Sequence, residues 1–494
     1  MIKIFSRGYT AAASMEARER VALAAVFVVA FALRLVPTVV YPSLINADEL
    51  FQSLEQAHRL VFGYGEIPWE FHVGTRTWIL PGALAGFMWL GDRIGDGPAY
   101  YLGAVHAALA ALSATSVACA FLWGRRWHGL WGGMIAASLP ALWPDAIYFG
   151  ARSLSECVAA PILVLALYFL DDQVKRPTGR RRGGGGLFLG LATVLRMQLA
   201  PVLALVLAWR AIEFLRRRAS AVAEPPLLAG IALAFGAAGL VDALTWGYPF
   251  QSLWLNFDYN VLHGVAATFG TEPWSYYLLG LIEHWGWGFP VIFVLAALGG
   301  WRLPLPVLAA IAILAAHSVI GHKEYRFIYP ALLLILIAAG IGLAQLTAWL
   351  CLQSTRTARP FAVASLAGVA ILSMLFAASA RMRPLWGSYH DLIAAASAVS
   401  SLDHVCGIGA DGTYGGYVYF HRDVPFYWLR NADEMSHDAS GFDVLLTKKT
   451  PPKDFETLRC FGDICVARRP GACAPIPAAP IFLSKPVTAA ANGN

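Results

Sequence analysis

The chain has 494 residues, 58% of them hydrophobic and only 14% charged, with a mean hydropathy of +0.57. Apolar runs recur along most of that length, which excludes a water-soluble globular enzyme and points to lipid as the solvent. The formal net charge of +6 comes mostly from short basic clusters between apolar runs, the usual topology signal, and calls for no nucleic-acid partner.

The first twenty residues carry Lys3, Arg7, Arg18 and Arg20, and an apolar run extends from Val21 to about Tyr41, broken by Arg34. That run is longer than the core of a cleaved signal peptide, so it reads as an uncleaved anchor behind a cytosolic segment, 1–20. Further candidate spans lie at about 99–123, 129–149, 154–171, 186–198, 199–215, 226–246, 278–300, 303–320, 327–350 and 361–382. Basic clusters at Arg125-Arg126, Lys175 to Arg182, Arg216 to Arg218, Arg302 and Arg356 to Arg359 share the cytosolic side if the chain crosses eleven times. The carboxyl terminus then lies outside. The expected fold is an α-helical polytopic membrane protein with about 11 transmembrane helices over residues 21–383. Trp78–Leu90 is apolar but only about thirteen residues long, against the roughly twenty a crossing needs. It therefore falls within one long external loop, 43–98, and two more external loops are expected at 247–277 and 321–326. Arg180–Gly186 reads as a flexible basic linker on the cytosolic side, which Asp171-Asp172 also faces.

Residues 384–475 are polar enough to fold in water, as a small extracytoplasmic α/β domain. A helix is expected at 389–402 and strands at Tyr414–Phe420 and Phe442–Thr447, with a disordered tail at 476–494. Cys119, Cys157 and Cys351 lie in or beside apolar spans and read as packing. Cys406, Cys460, Cys465 and Cys473 come after the last span, which suggests one or two disulfides of unspecified pairing. Gly407-x-Gly409-x-x-Gly412 has dinucleotide-fingerprint spacing, but such a site needs a helix directly after the turn, where a strand is expected.

The first external loop opens with Asn46-Ala47-Asp48-Glu49-Leu50-Phe51-Gln52-Ser53-Leu54-Glu55-Gln56-Ala57-His58. At helical spacing Asp48, Gln52 and Glu55 share one face, while Leu50, Leu54 and Ala57 form an apolar stripe. An amphipathic helix on the outer membrane surface is predicted. Acidic residues in a first turn also complement the helix dipole, so capping would account for Asp48 and Glu49 as well. Gly65-Glu66-Ile67-Pro68-Trp69-Glu70 and Arg76-Thr77-Trp78 supply turns and interfacial rings. The second loop carries Asn256-Phe257-Asp258-Tyr259-Asn260 and Gly270-Thr271-Glu272-Pro273-Trp274. This mixture suits sugar binding, and equally an ordinary interfacial loop.

The densest signal is His322-Lys323-Glu324-Tyr325-Arg326-Phe327-Ile328-Tyr329, closed by Pro330 between two apolar stretches. Ionisable groups are costly in hydrocarbon, and a cluster at its edge usually lines a substrate path or binds a charged headgroup. His322, Lys323 and Arg326 could form a positive pocket for phosphate, with Glu324 holding one cation. Snorkelling towards headgroups would also place Lys and Arg here.

Together the loops offer a carboxylate base, a ring- and amide-rich surface and a phosphate clamp on one face. One reaction class uses all three. An acceptor hydroxyl, deprotonated by the carboxylate, attacks a sugar on a lipid phosphate while cations stabilise the leaving phosphate. The string His322-Lys323-Glu324-x-Arg326-Phe327 with Pro330 resembles family-22 glycosyltransferases of the GT-C superfamily. So do Asp48-Glu49-x-x-Gln52-x-x-Glu55-x-Ala57-His58, Gly65-x-x-x-Trp69-Glu70 with Arg76, and Gly270-Thr271-x-Pro273-Trp274-x-x-Tyr277. The family includes mannosyltransferases of GPI-anchor and N-glycan assembly, and the resemblance spans roughly residues 20–350. It implies a GT-C fold and inverting transfer of mannose, or a similar hexose, from a polyprenyl- (dolichyl-) phosphate donor to a glycolipid or glycan acceptor.

By the same resemblance Asp48 is the base, Glu49 supports it or positions the acceptor, and His322, Lys323 and Arg326 lie at the donor phosphate. Gln52, Glu55, His58, Trp69, Glu70, Arg76, Asn256, Asn260 and Trp274 become substrate-binding candidates. Pro68 stands where Thr is common, and Asn46-Ala47 where His-Pro is common, departures that bear on the acceptor. No metal site or cofactor is expected, although a divalent cation could assist. The alternatives are a transporter or flippase of lipid-linked sugars, or a GT-C enzyme that moves another sugar. A transporter would show internal repeats and ionisable groups at the bilayer midplane. No clear repeat is visible, and the polar clusters lie outside the spans. Short Arg-rich loops favour a bacterial inner membrane with the site facing the periplasm, or the ER membrane in a eukaryote.

Overall fold

A computed structural model describes residues 15–172, 178–216, 224–351, 358–379, 382–411, 416–429 and 441–471. Most of the expected cytosolic terminus (1–14), the expected disordered tail and Cys473 lie outside the described residues.

Helices stand at each segment expected to span. Among the described residues six of them, from Ala17–Val40 to Arg359–Ala377, are long and apolar enough to cross a bilayer. The pair Tyr276–Trp285 and Gly288–Gly300, bent by 111°, makes a seventh if counted as one span. Helix Pro98–Leu142 has 45 residues and loses helical geometry at His128 and Gly129. If straight it would be about 68 Å long, twice a bilayer core. A Cβ built on Gly124 would fall 2.3 Å from the Gly132 carbonyl oxygen, so the chain doubles back and the halves run side by side.

The central helix, Tyr329–Cys351, is buried from Tyr329 to Gly342. Lipid supplies no hydrophobic drive between helices, so close backbone approach through small residues replaces it. A Cβ on Gly342 would lie 1.9 Å from the Leu295 carbonyl oxygen, and one on Gly340 2.2 Å from that of Ala136. The same device corrects the expected linker at Arg180–Gly186, which is the first half of helix Gly179–Leu195. There a Cβ on Gly186 would meet the Leu227 carbonyl oxygen at 2.1 Å, so the glycine run is a packing face against helix Glu224–Trp246. Arg34, fully buried within the first helix, donates to Ser113 Oγ at 2.8 Å and to the carbonyls of Ala30 and Pro140 at 3.0 and 2.7 Å.

After the last apolar helix, helix His390–Ser400 packs on a five-stranded sheet ordered β2-β1-β3-β5-β4. The strands are β1 (Ile408–Asp411), β2 (Phe426–Leu429), β3 (Val444–Thr447), β4 (Glu456–Phe461) and β5 (Ile464–Arg468). The β1 strand runs parallel to β2 and β3, and the antiparallel β4–β5 hairpin carries the Cys460–Cys465 disulfide. Of the expected strand Tyr414–Phe420, residues 414 and 415 lie outside the described residues, and Tyr417–Phe420 is instead a short helix. Gly407 precedes β1 and Gly409 lies within it, while Gly412, the third glycine of that spacing, lies outside the described residues.

That short helix docks the sheet onto the membrane domain. The N–H groups of Tyr417 and Val418 donate to the Glu55 carboxylate at 3.1 and 3.0 Å, and that of Glu66 does so at 2.8 Å. Tyr101 Oη donates to the Val418 carbonyl at 2.5 Å. Gly416, at φ +65°, leaves room for Glu55, whose Oε2 would sit 2.7 Å from a Cβ there. His58, fully buried, faces the Tyr64 carbonyl and His421.

Burial lifts the Glu55 carboxyl to about 7 despite its three N–H donors. A group raised in the folded state stabilises fully below its unfolded value, and that contribution is lost as pH rises through the folded one. Burial also keeps His58 neutral, lowered to about 3, so its contribution is lost as pH falls. The two trends oppose, and a variant must be compared with wild type at each pH. Glu55→Gln should gain on wild type by about 2–3 kcal/mol as pH rises from about 4.5 to about 7.5, read by denaturant unfolding in detergent. A difference constant with pH would mean Glu55 titrates as an exposed carboxyl.

Candidate active site

The expected outer loop 43–98 is a series of short helices that helps wall a cavity of about 1090 Å³. Asn46, in extended conformation, starts the first of them: its Oδ1 accepts the Asp48 N–H at 3.1 Å. Its Nδ2 donates to Glu324 Oε2 at 3.1 Å, which ties the first loop to the third. The helix then passes through a π-turn at Leu50–Leu54 before resuming α geometry at Glu55–Phe62. Such a turn takes up one extra residue, which rotates the rest of the helix by about 100°. The helical face expected to hold Asp48, Gln52 and Glu55 is split by it. Asp48 and Gln52 line the cavity, whereas Glu55 and His58 turn into the docking contact.

Asp48 and Glu49 point apart. Asp48 is a third exposed and lines the cavity. Glu49 is fully buried, accepts the N–H groups of Ile45 and Ser153 at 3.3 Å each, and lies 3.9 Å from Arg152. Burial raises its carboxyl. Its place is beneath the helix, not at the cavity surface.

Arg326 is the hub of the third loop. Its Nη2 donates to Asp48 Oδ2 at 2.6 Å and to Glu324 Oε1 at 2.9 Å; its Nε donates to Glu324 Oε2 at 2.8 Å. Its Nη1 lies 3.2 Å from Glu156. Lys323 donates to the carbonyls of Glu272, at 2.7 Å, and Ile320. The His322 ring sits between the Gly270 carbonyl and Glu324, at 3.0 and 3.3 Å. All three line the cavity, but protein acceptors engage each, so they do not form the open positive pocket expected from sequence. Burial alone would raise the Glu324 carboxyl, yet the bonds from Arg326 and His322 outweigh it and the net shift is downward. Tyr325 anchors the segment from behind, donating at 3.2 Å to buried Asp145, which also accepts the Trp143 and Trp285 indoles at 2.9 Å each.

Across the cavity, Gln52 donates to Glu70 at 2.7 Å, and burial raises the Glu70 carboxyl. Trp69, Asn256 and Asn260 also line it, while Trp274 is 74% exposed and does not. Arg76 and Arg196 are different from the hub. Both line the cavity, and each has a buried Nε with no hydrogen-bond partner among the described residues. Arg196, at the break after helix Gly179–Leu195, lies 3.4 Å from Glu156 and over the Phe327 ring at 4.7 Å. Among the described residues no group of three His, Cys, Asp or Glu side chains is placed to hold a metal ion.

Glu156 and Arg196 are not among the site residues expected from sequence. The available signal was the cost of ionisable groups inside apolar runs, which marks both.

The chain matches the Alg9-like mannosyltransferase family over residues 25–405. It is 31% identical over 331 residues to GPI mannosyltransferase 3 of Yarrowia lipolytica, covering 65% of this chain and 62% of that protein. It is 28% identical over 328 residues to GPI alpha-1,2-mannosyltransferase 3 of Danio rerio, covering 64% and 59%. These alignments therefore span about three-fifths of the relatives' own length. ArnT from Cupriavidus metallidurans, solved bound to undecaprenyl phosphate, superposes with a TM-score of 0.58 at 14% identity, covering 92% of this chain and 99% of that one. That likeness is one of fold. The match over most of the chain settles descent: this protein belongs to the Alg9-like mannosyltransferase family.

Proposed function

We propose that this chain is an inverting glycosyltransferase that moves mannose, or a similar hexose, from a polyprenyl-phosphate donor to a hydroxyl of a glycolipid or lipid-linked glycan. The observation that carries this is Asp48, a carboxylate open to a large cavity, oriented by buried Arg326, in a cavity that two incompletely bonded arginines also line. In the reaction the acceptor oxygen bonds to the anomeric carbon as the bond from that carbon to the phosphate oxygen breaks. The acceptor proton passes to Asp48, and the phosphate leaves with the electron pair. The relatives' names support mannose, and the polyprenyl phosphate named for the ArnT structure supports the donor class.

Arg326 acts here as the group that positions the base. The donor phosphate falls to Arg76 and Arg196, whose unsatisfied Nε–H groups are what an oxyanion would complete. Eleven crossings, with the cavity and the sheet domain on the extracytoplasmic side, agree with the shared placement of the basic clusters. A bacterial inner membrane facing the periplasm fits this arrangement, as would an ER membrane facing the lumen.

Asp48→Asn should reduce transfer of labelled mannose from undecaprenyl-phosphate mannose by about 10²- to 10⁴-fold in a protein that still folds, since Arg326 keeps Glu156 and Glu324 as partners. Full activity would remove Asp48 as base. Arg196→Gln and Arg76→Gln should each weaken undecaprenyl-phosphate binding about tenfold. Lys323→Gln should leave that affinity intact and lower stability, because its role is to satisfy carbonyls; a reversed pattern would return the phosphate to the third loop. A periplasmic phosphatase reporter fused to the carboxyl terminus should be active, and an inactive fusion would overturn the topology.

A further inference from the structure

The sheet domain lies almost wholly beyond the family match, which ends at residue 405. It nevertheless reaches the cavity. Side chains alternate across a strand, so β2 presents two different faces. Tyr427 and Leu429 belong to a small core on the far side of the sheet, whereas Phe426 joins the main core that runs into the membrane helices. Trp428, on the Phe426 face, packs against that main core and lines the cavity with Asp48, Glu70 and Arg76. The strand is the sheet's edge, and its place is set by the Glu55 contact to the short helix Tyr417–Phe420 and by Phe420 stacked on Phe426 at 5.7 Å.

We propose that Trp428 is a specificity residue that stacks on a pyranose ring of the acceptor glycan. This rests on the glycosyltransferase reading above. An indole offers a broad apolar face to the C–H groups of a sugar while the rim hydroxyls reach polar neighbours, here Asn256, Asn260 and Glu70. The donor is an unsuitable occupant. Its phosphate is assigned to Arg76 and Arg196, and Arg196 sits at the end of the apolar helix Gly179–Leu195, whereas Trp428 comes from the sheet domain. The cavity, at about 1090 Å³, is at the upper end of ordinary ligand pockets and exceeds what one sugar phosphate fills. An acceptor of more than one ring occupies the remainder, and the sheet domain supplies its wall.

The test uses the full chain in detergent with undecaprenyl-phosphate mannose as donor and octyl α-mannotrioside as acceptor probe. Trp428→Leu keeps apolar volume and removes the ring; Trp428→Tyr restores a stacking face. The leucine variant should raise the trioside KM about three- to tenfold with kcat and donor KM unchanged, and the tyrosine variant should recover most of the loss. Equal shifts in donor and acceptor KM, or an unchanged trioside KM in the leucine variant, would overturn the proposal while leaving the transferase intact. Wild type that transfers to octyl α-mannoside as readily as to the trioside would also overturn it. Wild type that neither binds undecaprenyl phosphate nor transfers mannose would instead overturn the function on which it rests.

Discussion

One buried guanidinium, that of Arg326, is engaged by three carboxylates from three distant stretches: Asp48, Glu156 and Glu324. A buried charge is tolerated only when paired, and removing a partner leaves an uncompensated charge behind. The segment after the first helix, the start of helix Ser155–Leu170 and the segment before helix Tyr329–Cys351 are thereby held in one arrangement around the cavity. Glu156 extends the chain of charges to Arg196, so alternating signs run from Asp48 to Arg196. Neighbouring contacts brace this frame: Asn46 bridges the first and third loops, and Asp145 holds Tyr325 from the core.

The frame also explains why adjacent acids behave differently. Asp48 and Glu49 are neighbours in sequence, yet one faces the cavity and the other is sealed against Arg152 and Ser153. Glu55, two turns on, is diverted by the π-turn to cap a helix of the sheet domain. Carboxylates of one helix thus face the cavity, anchor the helix and dock the sheet domain. Their spacing in sequence carries no hint of that division, because it depends on a single irregular turn.

The cavity is built by two parts of the chain. The membrane helices and loops fall within the family match, whereas the edge strand that brings Trp428 lies beyond it. On the proposed reading, the helices and loops hold donor and base, and the sheet shapes what the acceptor must look like.

Much of this was legible from residue order alone. Apolar runs separated by basic clusters marked the helices because hydrocarbon tolerates only long apolar stretches with internally satisfied backbones. The octet at 322–329 stood out for the same reason, since ionisable groups beside hydrocarbon are costly, and five of its residues line the cavity. Tertiary structure alone decided what each charge does. Whether Arg326 meets a phosphate or three carboxylates depends on segments 278 and 170 positions away in the chain arriving beside it. Likewise the glycines of 183–186 read as a linker until a neighbouring helix fills the space their missing side chains leave. Composition records the solvent a segment meets, whereas pairing depends on what packs against it.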